Sequence, residues 1–209
     1  MKGGYAAATA GMGAPAAIVG VDFSKYAANA FSLLQEVAAR HGKDLRYNIP
    51  VELGGFSIFF PLLLSLITEF KTVDADGAGR AVPALETLLL HVNGCPTSPI
   101  ALANGVNDKI TVELADSHNA PLAEKIGRDI CGEFGNMVGI SGWLVDKTDI
   151  ENRIITGSIT LCEKIGAIMR RANCPAEKLF EMLASEKLVQ SKVVCVGDVT
   201  DIRVETHGG

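Results

Sequence analysis

The sequence predicts an α/β protein, with a mostly parallel sheet and flanking helices over residues 1–115 and a smaller α+β region over 116–209. Short apolar runs of strand length alternate with amphipathic helical stretches through the first half, the order that strand-helix-strand units require. No internal repeat is visible and no low-complexity linker separates the halves. Beyond residue 115 the alternation becomes less regular, and that change of rhythm sets the boundary.

Residues 16–20, Ala-Ala-Ile-Val-Gly, read as a buried strand, because Gly11, Gly13 and Pro15 break the alanine-rich run before them. Asp22 or Ser24 caps the next helix, whose apolar face includes Ala27, Phe31, Leu34 and Ala38 and which Gly42 closes. Residues 48–53 form a strand, Gly54-Gly55 turns the chain, 62–70 form an apolar helix, and 71–76 return as a strand. Pro83 opens a helix reaching His91, since proline in the first turn loses no needed donor. Asn93-Gly94 ends it, and residues 100–103 and 109–114 read as strands. The second region gives a helix over 121–133, with Leu122, Ile126 and Ile130 on one face, and a strand over 137–145. Helices over 158–171 and 176–183 and a strand over 192–196 follow, with a sheet element at Ile202-Arg203-Val204.

Apolar residues make up 48% and charged residues 21%, the balance of a globular protein with a core. A net charge of -5, with no Lys/Arg cluster, argues against a nucleic-acid partner. The apolar stretch 56–67 falls well short of the roughly 20 residues that span a bilayer, so no membrane is expected. Cys95, Cys131, Cys162, Cys174 and Cys195 are scattered without a C-x-x-C pair, which suits a reducing cytoplasm. His41, His91, His118 and His207 have no zinc-like spacing. His91 on its apolar helix reads as a helix C-terminal residue, and Cys95 lacks a placed base.

The most informative stretch is Val73-Asp74-Ala75-Asp76-Gly77-Ala78-Gly79-Arg80, placed where a strand ends and a helix begins. It is not a calcium loop: Ala78 and Leu85 stand where the third side-chain ligand and the bidentate glutamate belong, and Pro83 interrupts it. Ligands of open α/β sheets bind beyond the carboxyl ends of the strands. In a parallel sheet, Glu52, Asp74, Asp76 and Arg80 converge at that edge as candidate catalytic residues. The carboxylates would activate water, bind a divalent cation (Asp74 and Asp76 being the candidates) or anchor the arginine. Arg80 would hold a substrate carboxylate with its planar fork. Gly13, Gly54, Gly55, Gly77 and Gly79 would let the backbone approach a substrate. Each residue also has a plain structural use: Glu52 as a helix cap, Asp76 as a turn former, and Asp74 with Arg80 as an internal ion pair.

The succession Met12-Gly13-Ala14-Pro15, Glu52-Leu53-Gly54-Gly55 and the run from Asp74 to Leu85, continued by Gly157-Ser158-Ile159-Thr160-Leu161 and Lys192-Val193-Val194, resembles the S-methyl thiohydantoin desulfurase family. That family is found beside or fused to hydantoinase/oxoprolinase proteins. The resemblance implies hydrolysis of a small cyclic amide or thioamide, water attacking the ring carbon that bears sulfur with loss of a thiol. It implies a small-molecule substrate and a homo-oligomer or a hydantoinase/oxoprolinase-like partner; no cofactor is required, though a divalent metal is compatible. A glycine-rich opening segment and a largely β C-terminal region of the family are absent here. The expectation is therefore a piece of a longer member, with the 116–209 region incomplete at its C-terminus. The rival expectation is a non-catalytic ligand-binding or structural subunit of such an assembly.

Overall fold

A computed structural model of the chain describes residues 1–13, 21–172, 176–185, 190, 192 and 194–203, and the chain divides into two units, 1–160 and 161–209. The first unit is built on a six-stranded sheet in the order β3-β2-β1-β7-β5-β6. Its strands are β1 (Tyr5–Gly13), β2 (Leu45–Pro50), β3 (Lys71–Thr72), β5 (Ile100–Ala103), β6 (Lys109–Val112) and β7 (Met137–Val145). A separate two-stranded ribbon pairs β4 (Ala75–Asp76) with β8 (Ile155–Thr156). The helices are α1 (Ser24–Arg40), α2 (Phe59–Ile67), α3 (Leu89–Val92), α4 (Ala120–Glu133) and α5 (Lys147–Arg153), with α6 (Ser158–Ala172) starting at the end of this unit. In the second unit α6 continues and α7 (Ala176–Ser185) follows, with Ile168 and Leu183 buried.

The class is α/β, and its parallel part lies on one side: β1 with β2 and β2 with β3 pair parallel, whereas β7 and β5 join antiparallel. Strand β1 is the centre. Ala6, Ala8 and Ala10 face a core with Leu88, Leu90 and Trp143, while Ala7 faces Phe31 and Leu34 of α1 on the other side. Both faces of the strand are thus covered, and period-two alternation sorts one alanine run into two cores. Small residues let helices sit close to the sheet. At Gly139 of β7 a Cβ would collide with the Tyr26 carbonyl of α1. Within the sheet, Thr9 and Ser141 are opposite one another and share a hydroxyl hydrogen bond of 3.1 Å.

Helix α1 buries Ala27, Phe31, Leu34 and Ala38 as the periodicity predicts. It ends in a Schellman motif, with Lys43 N–H on the Ala38 carbonyl and Gly42 N–H on Ala39. The N-cap position is Phe23, whose side chain cannot cap, and Asp22 Oδ1 accepts both the Ser24 N–H (3.3 Å) and the Ser24 hydroxyl (2.5 Å) at the start of the helix. The strand expected at 16–20 lies outside the described residues. Strand β1 itself is not foreseen by the sequence reading, because alanine is a weak strand former and the run lacks β-branched residues apart from Thr9.

The helix expected from Pro83 to His91 is a correction. It is a 3-10 turn at Leu85–Thr87 followed by the short α3, because extended Leu88 interrupts it and Leu89 N–H turns to the Gly77 carbonyl at 2.8 Å. The strand expected over 71–76 divides into β3 and β4, the latter leaving the main sheet for β8. Of 192–196 and 202–204, the described residues are not in strands. Helix α5 was not anticipated, although Asp146 and Asp149 close a capping box at its start.

Candidate functional site

Because β1 and β2 run parallel, their carboxyl ends meet at one edge, and antiparallel β7 begins there with Met137 opposite Gly13. Helix α4, which feeds β7, brings Arg128 to the same edge. A cavity of about 290 Å³ opens at this place, lined by Gly13, Glu52, Phe56, Ser57, Arg128 and Met137 among others. A narrower recess of about 70 Å³ shares Glu52, Ser57 and Arg128 and adds Glu124 and Leu85. The position, beyond the ends of parallel strands, is where such sheets bind ligands.

Glu52 lies two residues past the end of β2 and is half-buried. Its Oε1 accepts the Ser57 hydroxyl at 2.5 Å and its Oε2 accepts the Val82 N–H at 2.5 Å. Two donors from opposite sides fix the carboxylate plane, and each oxygen retains a lone pair for a ligand. Gly13 is held in a backbone conformation that favours glycine (φ 153), and a Cβ there would strike the Asn136 carbonyl. The chain crossing beside the cavity therefore requires glycine.

The Asp74–Arg80 turn serves this edge from behind. Asp76 is fully buried, and its Oδ1 accepts the N–H groups of Ala78 (2.9 Å) and Gly79. Among the described residues its Oδ2 has no hydrogen-bond partner. Gly77 donates to the Pro50 carbonyl at 3.2 Å, and a Cβ on it would come within 2.6 Å of Val51 O and 2.7 Å of Leu90 Cδ1. The turn is thus clamped to the end of β2, and the chain leaves it to deliver Val82 N–H to Glu52.

Asp74 is exposed and faces another element. Its Oδ1 accepts Ile159 N–H (2.9 Å) and Thr160 N–H (3.2 Å), and its Oδ2 accepts the Thr160 hydroxyl (2.5 Å), which caps α6. Arg80 is exposed, and its Nη1 donates to the neighbouring Ala81 carbonyl at 3.0 Å. The structure thus brings Glu52 and Gly13 together at the cavity. Asp74, Asp76, Arg80, Gly54, Gly55, Gly77 and Gly79 are not among the residues lining it. Gly54 sits in ordinary contact, 3.5 Å from Glu52 Oε1 to a Cβ position, and Gly55 faces open space.

Among the described residues no group of three or more His, Cys, Asp or Glu side chains could hold a metal ion. Cys95 is buried; burial, with the charge of Asp149 behind it, pushes its thiol up, against the lowering effect of Arg153. No helix among the described residues is long and apolar enough to cross a membrane.

Sequence reasoning missed Ser57, Glu124, Arg128 and Met137. Arg128 Nε bonds Glu124 Oε1 at 2.6 Å, an i,i+4 pair that in sequence is indistinguishable from an ordinary solvent-facing helix pair. Only the adjacency of β1 and β7, which sequence order hides, turns that pair toward Glu52.

Fold and cavity together define an α/β protein with a small-molecule-sized cavity at the carboxyl edge of its parallel strands. Residues 2–114 match the S-Me-THD-like N-terminal domain and residues 117–209 the S-Me-THD-like C-terminal domain, so the chain belongs to the S-methyl thiohydantoin desulfurase-like family. It is similar to a crystal structure of a protein from Chromobacterium violaceum, with a TM-score of 0.81 and 25% sequence identity over 88% of this chain. The chain spans about half of that protein's length, 51%. No curated protein matches it.

Proposed function

We propose that the protein is a hydrolase of a small cyclic amide or thioamide of the hydantoin or S-methyl thiohydantoin type. The observation that carries this reading is Glu52, a half-buried carboxylate held at both oxygens and lining a cavity of about 290 Å³. That volume lies just below the roughly 300–1,000 Å³ of drug-sized ligand sites and suits a single ring with short substituents. Family membership supports the substrate type. Water adds its oxygen to the ring carbon that bears sulfur, giving one proton to Glu52 and the other to the ring nitrogen. The C–S bond then breaks, and the thiolate leaves with the proton that Glu52 held. In this reading Asp74 and Asp76 act through the backbone, Asp74 at α6 and Asp76 in the turn that presents Val82.

A second reading has its own observation: both Glu52 oxygens already bear protein hydrogen bonds, as they would in a wall that only shapes a pocket. The protein is then a non-catalytic ligand-binding or structural subunit of a hydantoinase/oxoprolinase-like assembly. Thiol release from S-methyl thiohydantoin decides between them. The hydrolase reading expects release by the parent and a loss of about 100-fold or more in Glu52→Gln, with hydantoin binding retained. Binding without release in the parent favours the subunit.

A further inference from the structure

The sequence reading assigns the cationic contact with substrate to Arg80, yet Arg80 is exposed, donates to its own neighbour's carbonyl and is not among the residues that line the cavity. Arg128 does line both the cavity and its recess, together with Glu52. Its guanidinium is held in place from one side. Nε donates to Glu124 Oε1 at 2.6 Å and one Nη donates to the Pro83 carbonyl at 3.2 Å. Glu124 is in turn fixed by Leu85 N–H on its other oxygen at 3.2 Å. A guanidinium has five N–H donors, so this cradle leaves several unspent on a side chain that is 50% exposed. Among the described residues nothing bonds the other terminal nitrogen.

Charge decides what those donors meet. The 14%-exposed Glu124 neutralises Arg128 at close range, which leaves Glu52 as the unbalanced charge among the described residues that line the cavity. An anionic ligand would face that carboxylate, and a neutral ring that offers an N–H beside a C=O would not. The N–H can go to Glu52 and the carbonyl oxygen to Arg128, while Met12, Phe56 and Met137 supply soft apolar wall for a sulfur substituent.

From this we infer that Arg128 is the specificity-determining residue of the site, reading a ring carbonyl oxygen of a neutral cyclic amide or ureide rather than clamping a carboxylate. The inference rests on the cyclic-amide reading of the cavity. It adds that the site draws on both matched regions of the chain: Glu52 comes from residues 2–114, and Arg128 and Met137 from residues 117–209.

The test is calorimetric binding to the intact protein of hydantoin, of dithiohydantoin (whose sulfurs are poor acceptors) and of hydantoin-5-acetic acid. The parent is expected to prefer hydantoin over dithiohydantoin by about tenfold, the worth of one charge-assisted hydrogen bond, and to gain nothing from the added carboxylate. Arg128→Met is expected to weaken hydantoin about tenfold and to bind the oxygen and sulfur rings alike, and Arg128→Lys to fall between. An Arg128→Met protein that melts normally and binds hydantoin like the parent overturns the assignment. So does a parent without the oxygen preference, or one that binds the acid more tightly in an Arg128-dependent way. If Arg128→Met fails to fold, Arg128→Lys carries the comparison, and a parent without the oxygen preference still overturns the assignment. Arg128-dependent binding without thiol release would leave the assignment standing and overturn the hydrolase reading, and thiol release indifferent to Arg128 would do the reverse.

Discussion

Replacing Asp74 separates a structural carboxylate from a chemical one. In the native protein it takes the N–H groups of Ile159 and Thr160 and the Thr160 hydroxyl, at the start of the 15-residue α6. Both N–H groups belong to the first turn, where a helix has no acceptor of its own. Because Asp74 is exposed, water replaces it in Asp74→Ala, and the cost stays within the capping range, about 1–2 kcal/mol. Asp74→Asn keeps one oxygen for the two N–H groups, and the Thr160 hydroxyl can rotate to accept from the new amide. What is lost is mainly the charge against the helix dipole, about 0.3–1 kcal/mol. In a chain of this size each kcal/mol moves Tm by about 2–4 °C, so the expected order is parent, Asn, Ala, in steps of a few degrees. Hydrogen exchange should show the Ile159 and Thr160 amides opening first. Thiol release in Asp74→Asn should follow the parent. If instead Asp74→Asn keeps Tm and amide protection but abolishes thiol release, Asp74 belongs to the chemistry and the capping argument fails.

Three further outcomes follow from the same geometry. Gly77→Ala places a methyl within 2.6 Å of Val51 O, which must displace the turn; thermal melting should show a loss of about 2 kcal/mol or more, with weaker hydantoin binding as Val82 moves off Glu52. Gly139→Ala meets the Tyr26 carbonyl, a backbone atom that cannot turn aside, and α1 must lift from the sheet, for a loss of about 3 kcal/mol in urea titration. The thiols of Cys95 and Cys131, both buried and pushed above the ordinary 9.0 chiefly by burial, should resist a thiol reagent until unfolding, while exposed Cys162 and Cys195 react at once. Because those two groups prefer the neutral form when folded, their contribution to stability is intact below about pH 9 and is lost as pH rises through the folded values. Chemical denaturation at pH 8 and pH 10 should show the fall, and a flat profile would refute it.

The elements most legible in the sequence were those whose hydrophobic period agrees with their burial. The run 137–145 is a strand with every residue buried, and α1 shows its buried stripe at helical spacing. Those that escaped depend on partners distant in sequence. Tyr5–Gly13 is a strand because helices cover it on both faces, and residues 83–91 break their helix because Gly77 supplies a competing carbonyl. The site divides in the same way. Glu52 was visible because glycines beside a strand end mark an edge. Arg128 was not, because its meaning depends on a pairing across more than a hundred residues. The conspicuous acids of the Asp74–Arg80 turn are spent largely on backbone N–H groups, a use that no motif distinguishes from catalysis.

Strand β7 lies between β1 and β5, so the middle of the sheet is closed by a segment synthesised long after its neighbour. At translation rates of roughly 5–20 residues per second, β1 waits about 6–25 s for β7 to leave the ribosome. Throughout that interval an alanine-rich strand keeps one hydrogen-bonding edge open, a template for pairing with another nascent chain. Production of the protein should therefore depend on how quickly translation passes residue 145. Slow codons between residues 13 and 137 should raise the insoluble fraction, and the same codons placed after residue 160 should not.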